Sequence, residues 1–199
     1  MKAKLFILSL LISCSLSAQE IKTVPMTLDD FLPFLEMTGY SFHHFNLSAL
    51  AEPTLKVRLI CQTWENQELV SEESLFSFSG KKELTIAVVP SQQDTLGRLV
   101  FVVPGGMQSA MNYPRKPLFF PSDPETPVYM YGTRPFMPGT PDLQEPGFIP
   151  ILLYGSGWVD RRYGIIRFCG EKEIDPQLTG TMLKYLPHYY IFGLRYEYK

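Results

Sequence analysis

Ser156 stands between Gly155 and Gly157, and a serine on so sharp a turn is one way for a chain to present a nucleophile. The elbow that does this in α/β hydrolases needs glycine two places before and two places after the serine. Those places hold Tyr154 and Trp158, so that pattern is missing. A Ser156–His188–Asp160 triad can still be composed from the residue types present, against the expectation of a tight inter-strand turn at Ser156. His43 and His44 are neighbours on a predicted strand, where successive side chains point to opposite faces and cannot chelate one metal together. They are expected as a surface or hydrogen-bonded pair, and no metal site is assigned. Glu171 with Glu173, and Asp29 with Asp30, are carboxylate pairs of the type that glycosidases set about 5–9 Å apart across a bond. Nothing in the sequence puts either pair in a cleft, and Glu171-Lys172-Glu173 reads better as a charged turn. No catalytic residue and no cofactor is implied.

Aromatic side chains make up 14% of the 199 residues, and Tyr113, Tyr129, Tyr131, Trp158 and Tyr163 fall in or beside predicted loops. Tyrosine and tryptophan join a flat apolar face to a polar handle, which suits protein contacts or stacking on sugars. Tyr129, Tyr131 and Trp158 are therefore the candidate binding residues. The competing expectation is that these rings pack loops onto a sheet. Cys61 and Cys169 are candidates for a disulfide, against two separate thiols. They lack CxxC spacing and make a poor zinc site.

The elements that must hold these residues are mostly strands. Leu28, Phe31, Leu32 and Leu35 form an i, i+3, i+4, i+7 stripe that predicts a short helix after Thr27, limited by Pro33. From Tyr40 the period becomes two. Leu55, Val57, Leu59 and Cys61 alternate with Lys56, Arg58, Ile60 and Gln62, and residues 69–78 run back after a polar turn. Further strands are predicted at 83–90 and 98–104. Residues 104–150 hold eleven of the seventeen prolines. Proline lacks an amide donor, so a long regular strand is not expected there. The aromatics in the same segment argue for an ordered insertion on the sheets, with extended pieces at 118–120 and 128–131. Strands are predicted again at 148–154 and 163–169. Asp175-Pro176 then reads as a helix start and Pro187 as its stop. A last strand sets His188, Tyr190, Phe192, Leu194, Tyr196 and Tyr198 on one face. The fold class is mainly β, a sandwich of Ig-like or jelly-roll-like type with a long Pro/aromatic-rich insertion and one short C-terminal helix.

Met1 to Lys4 supply two positive charges ahead of an apolar run from Leu5 to Ile12, as in a secretory signal peptide over residues 1–18. Leu11-Ile12-Ser13-Cys14 resembles a lipobox that would lipidate Cys14, whereas Ser17-Ala18-Gln19 offers ordinary cleavage. The run is too short to span a bilayer. Residues 19–199 form one domain on this reading and carry 16 basic and 20 acidic side chains, a formal charge of −4. That balance argues against nucleic acid as a partner.

The segments Gly155-Ser156-x-Trp158-x-Asp160, Arg167-Phe168-Cys169-Gly170-Glu171, Ile174-Asp175-Pro176 and Met182-Leu183-Lys184-Tyr185-x-Pro187-His188-Tyr189-Tyr190 resemble the C-terminal region of a family of small exported proteins of Gram-negative gut-type bacteria. That family is a domain of unknown function, so the resemblance implies export and a mainly β fold and transfers no activity. The expected role is a non-enzymatic module for binding or assembly, in the periplasm, on the outer membrane as a lipoprotein, or secreted. Its partner would be an envelope protein or glycan, with the membrane reached only through a lipid anchor. The alternatives are a hydrolase acting on envelope or dietary polymers, and a structural subunit of a larger envelope assembly.

Overall fold

The computed structural model describes residues 23–199; the signal-peptide reading of 1–18 and the lipidation of Cys14 lie outside them. The chain divides into two compact units at Pro33/Phe34, and helix α1 (Leu28–Met37) straddles the division. Its start is a reciprocal cap. The Thr27 N–H and hydroxyl donate to Asp30, at 2.8 and 2.7 Å, while the Asp30 N–H donates to the Thr27 hydroxyl at 3.3 Å.

The second unit is a two-sheet sandwich. In chain order its strands are β1 (Ser41–Asn46), β2 (Leu55–Glu65), β3 (Glu68–Phe78), β4 (Glu83–Val89), β5 (Leu96–Val102), β6 (Gln108–Pro114), β7 (Leu118–Phe120), β8 (Asp123–Val128), β9 (Tyr131–Pro135), β10 (Gly147–Ser156), β11 (Trp158–Asp160), β12 (Ile165–Arg167) and β13 (His188–Tyr198). One sheet has the order β1-β4-β5-β6 and the other β3-β2-β13-β10-β9, while β7 with β8 and β11 with β12 form small hairpins. Every pairing within the sheets is antiparallel.

Period-two patterning builds the layer between the sheets. Leu55, Val57, Leu59 and Cys61 of β2 and Tyr190, Phe192, Leu194 and Tyr196 of β13 point inward, as the alternation predicts. They meet Leu84, Ile86, Val88, Leu99 and Phe101 from the smaller sheet in one buried core. Phe101 and Phe192 meet at 5.5 Å between ring centroids. The larger sheet is also covered on its far face. Leu153, Tyr189 and Ile191 pack there under Phe136, Ile174, Met182, Leu183 and Leu186. Gly193 lies on that covered face, where a Cβ would sit 2.3 Å from the Phe148 ring.

Three expectations change in detail. Residues 104–150 are woven into both sheets: they contribute β6, β9 and the start of β10 as well as the β7–β8 hairpin. Pro114 and Pro135 end their strands, Pro124 and Pro127 lie in the two-stranded β7–β8 hairpin, and Pro150 sits at the register shift of β10 against β13. The C-terminal helix predicted from Asp175 contracts to one 3-10 turn, Met182–Lys184. Asp175 instead accepts the Gln177 N–H at 2.9 Å, and Leu178 takes a φ of +59°, so the chain turns rather than coils. The β2–β3 turn narrows to Asn66-Gln67, with φ +48° and +71°, the left-handed pair of a type I′ hairpin.

Candidate functional site

The residues that could have formed a serine-type site are neighbours in space but are not set up for attack. Ser156 is fully buried at the end of β10, and its hydroxyl accepts the His188 backbone N–H at 3.3 Å. The His188 imidazole is committed elsewhere: Nδ1 lies 2.5 Å from the Tyr131 hydroxyl, and the ring packs edge-on against Tyr190 at 4.8 Å. The Tyr131 oxygen already accepts the Lys116 N–H at 2.9 Å, which leaves its own hydrogen free to be donated to Nδ1. Burial, reinforced by nearby Lys116 and opposed by Glu65, pushes the His188 pKa down to about 4, so the ring is neutral at pH 7. Asp160 is bound to Arg167 at 2.7 Å and takes no part. The triad is therefore a set of structural contacts at the end of the sandwich.

Tyr131, a candidate binding residue, is used inside this cluster. Its ring is half-buried, 5.1 Å from the Tyr154 ring, with the Arg115 guanidinium 5.7 Å above it. Tyr113 is likewise a core residue, 8% exposed. Tyr129 is half-buried in the β8–β9 joint. Trp158 is half-buried too, but it stacks at 5.6 Å on Tyr185, which is exposed. The backbone ladder brings the segments that carry Tyr129, Tyr131 and Trp158 side by side: Ser156 pairs with Tyr131, and the Gly157 N–H donates to the Met130 carbonyl at 2.8 Å.

The carboxylate pairs and cysteines also separate. Glu171 accepts the N–H groups of Thr181 and Met182, at 2.8 and 3.2 Å, as well as the Thr181 hydroxyl. These bonds hold its pKa down to about 2, so it serves as a cap, while Glu173 is exposed. Asp30 caps α1 and Asp29 is exposed. The Cys61–Cys169 disulfide does not form, because Cys61 is buried between the sheets and Cys169 is exposed outside them. Burial, with the charge of Glu73 adding to it, pushes the Cys61 thiol up to about 12.

The feature best suited to a ligand lies where the open edges of the two sheets, β1 and β9, approach each other. The edges are tied by a polar triangle. His43 Nε2 lies 3.0 Å from Ser41 Oγ and 2.9 Å from Thr133 Oγ1, and the two hydroxyls are 3.0 Å apart. Burial lowers the His43 pKa from its ordinary value, so the imidazole joins this triangle uncharged. His44 points the other way, to Thr85 at 2.9 Å, as strand alternation requires. The Phe45 ring stacks on His43 at 6.4 Å and forms one wall of a cleft of about 320 Å³. Leu47, Ala49 and Leu50 continue that wall; Phe136, Met137 and Pro138 face them, and Ile149, Ile151 and Leu194 lie among the remaining lining. No Asp, Glu, Lys or Arg lines it. Ligand pockets are typically of this character, apolar with a few polar groups at the margin. A second depression of about 340 Å³, around Gln92, Gln93, Arg98 and Asn112, is polar.

Sequence reasoning missed the cleft because its walls come from segments about a hundred residues apart, each an ordinary run of apolar side chains. The one local signal was the turn-rich Met137-Pro138-Gly139 beside a strand. Among families of proteins, the one described as "Domain of unknown function (DUF5041)" matches, over residues 10–198. No curated protein and no solved structure matches.

Proposed function

The chain belongs to the DUF5041 family, and from that premise we propose that it is an exported, non-enzymatic binding module whose ligand enters the β1–β9 cleft with an uncharged, apolar group. The carrying observation is the cleft itself, about 320 Å³, lined mostly by apolar side chains, with His44 and Asn46 among the lining and no Asp, Glu, Lys or Arg. Desolvating a charge there without a partner costs several kcal/mol, about 3 or more, whereas an apolar group gains about 25 cal/mol for each Å² removed from water. Export is supported by the charged start and short apolar run of residues 1–12. The non-enzymatic reading is supported by the engagement of Ser156, His188 and Glu171 in structural bonds. An envelope glycan or protein would present such a group as an acyl chain or an apolar side chain.

The test is a titration of the purified protein with the neutral dye N-phenyl-1-naphthylamine. Ala49 is exposed on the cleft wall, so Ala49→Trp fills the space without disturbing the core. Saturable binding of one dye per chain, weakened at least about tenfold by Ala49→Trp at unchanged thermal stability, supports the cleft. Absence of saturable binding, or equal binding by the variant, rejects it.

A further inference from the structure

The sandwich has four edge strands, and three of them are protected. β1 and β9 are joined through Ser41, His43 and Thr133. Beyond β9, the Ile174 N–H donates to the Pro135 carbonyl at 3.0 Å, and Arg134 donates to the Phe168 carbonyl at 3.1 Å. β3 is exposed, but it carries Glu68, Glu72 and Glu73, and its register against β2 shifts twice. Charges and bulges are how natural sheets discourage pairing at an edge.

β6 has none of these devices. Its sequence, Gln108-Ser109-Ala110-Met111-Asn112-Tyr113-Pro114, is uncharged. It pairs with β5 without a register shift from Gln108 to Pro114. Among the described residues, no backbone group outside β5 bonds to residues 108–113. The outward backbone groups of this flat strand form a template for another strand.

We propose that β6 is an assembly edge whose occupant is β6 of a second copy, paired antiparallel across a two-fold axis near Ala110. Charge favours this partner. A two-fold sets each residue against its mirror position, so β3 on itself would oppose glutamates, whereas β6 opposes Gln108 to Asn112 and Ala110 to Ala110 with no like charges. The outer face supports the same geometry. Phe42, Ala87, Val100 and Ala110 stand in register across the four strands as an uncharged row. A twin β6 extends that row into an eight-stranded sheet. The proposal is independent of the cleft, which lies at the opposite edge of the same sheet.

Ala110 is exposed, so charged substitutions there leave the core untouched. Sedimentation of the purified protein over a concentration series should give a dimer. Ala110→Glu and Ala110→Lys should each sediment as a folded monomer with cooperative thermal unfolding, and an equimolar mixture of the two should restore the dimer. In hydrogen exchange, the outward amides of Gln108, Ala110 and Asn112 should be slow in the dimer and fast in either variant, while those of Ser109, Met111 and Tyr113 stay slow through their bonds to β5. A monomeric parent protein, a dimer indifferent to both charges, or a mixture that stays monomeric overturns the proposal. So does protection of the β6 amides that appears only when a different protein is added. Dye binding by the monomeric variants reads the cleft separately, so either proposal can fail without the other.

Discussion

Acidification should weaken the fold through His188, by an amount the structure sets. The imidazole is 2% exposed, and its pKa falls from the ordinary 6.5 to about 4, chiefly through burial. Between those values the unfolded chain binds a proton that the native chain refuses. Stability is therefore complete above pH 6.5 and is lost as pH falls toward 4. The gap of about 2.5 pH units, at about 1.4 kcal/mol per unit, comes to about 3.5 kcal/mol. Protonation would also turn Nδ1 into a donor facing the hydrogen of Tyr131. The assay is urea unfolding of the protein and of His188→Asn at steps from pH 7.5 to 4.5. The Asn oxygen can still accept from Tyr131, so the variant keeps the bond and loses the titration. At pH 7.5 it should be less stable by about 1–2 kcal/mol, from the lost ring packing against Tyr190. The two curves should converge as pH falls and cross before pH 4.5, because the loss through His188 exceeds the variant's starting deficit. Carboxylates such as Glu171 titrate alike in both proteins and cancel in the difference. Parallel curves would show that His188 is protonated as readily in the native state as in the unfolded one, and would refute the reasoning.

Two further outcomes concern the backbone. Gln67→Gly should stabilise the protein by about 0.5–1 kcal/mol, since Gln67 holds φ at +71° where glycine carries no steric cost; an unchanged or lower urea midpoint would contradict that. Gly193→Ala should destabilise by about 1–3 kcal/mol, because the new methyl meets the Phe148 ring at 2.3 Å and the Ile149 carbonyl at 2.8 Å. Adding Phe148→Ala should recover part of that loss, and strictly additive costs would place the strain elsewhere.

Legibility followed the strength of periodicity. β13 announced its inward face from Tyr190 to Tyr196, and β2 did so from Leu55 to Cys61, because one face of each is packed on a core. The covered far face of β13 was harder to see, since Tyr189 and Ile191 follow the same alternation without naming what lies above them. β6 escaped because an edge strand needs few apolar side chains: of its inward residues only Met111 and Tyr113 are apolar. Asp175-Pro176 misled because an Asx turn and a helix cap use the same carboxylate, and the backbone at Leu178 decides between them. The cleft was illegible for a different reason. Its distinguishing property is a lining without Asp, Glu, Lys or Arg, shared among segments that only the fold brings together.

β13 lies in the middle of the larger sheet, with β2 on one side and β10 on the other, and among the described residues it is the last strand in chain order. A chain made from its N-terminus therefore reaches its final strand with two half-sheets waiting, each showing an unpaired apolar border. The pairing of Leu55 with Tyr198 closes the longest loop among the strand pairings, the kind of contact that makes folding slow. Nucleation cannot be completed early. A chaperone that holds the chain until residues 188–198 are made works with this topology, because β2 and β10 are joined only through β13.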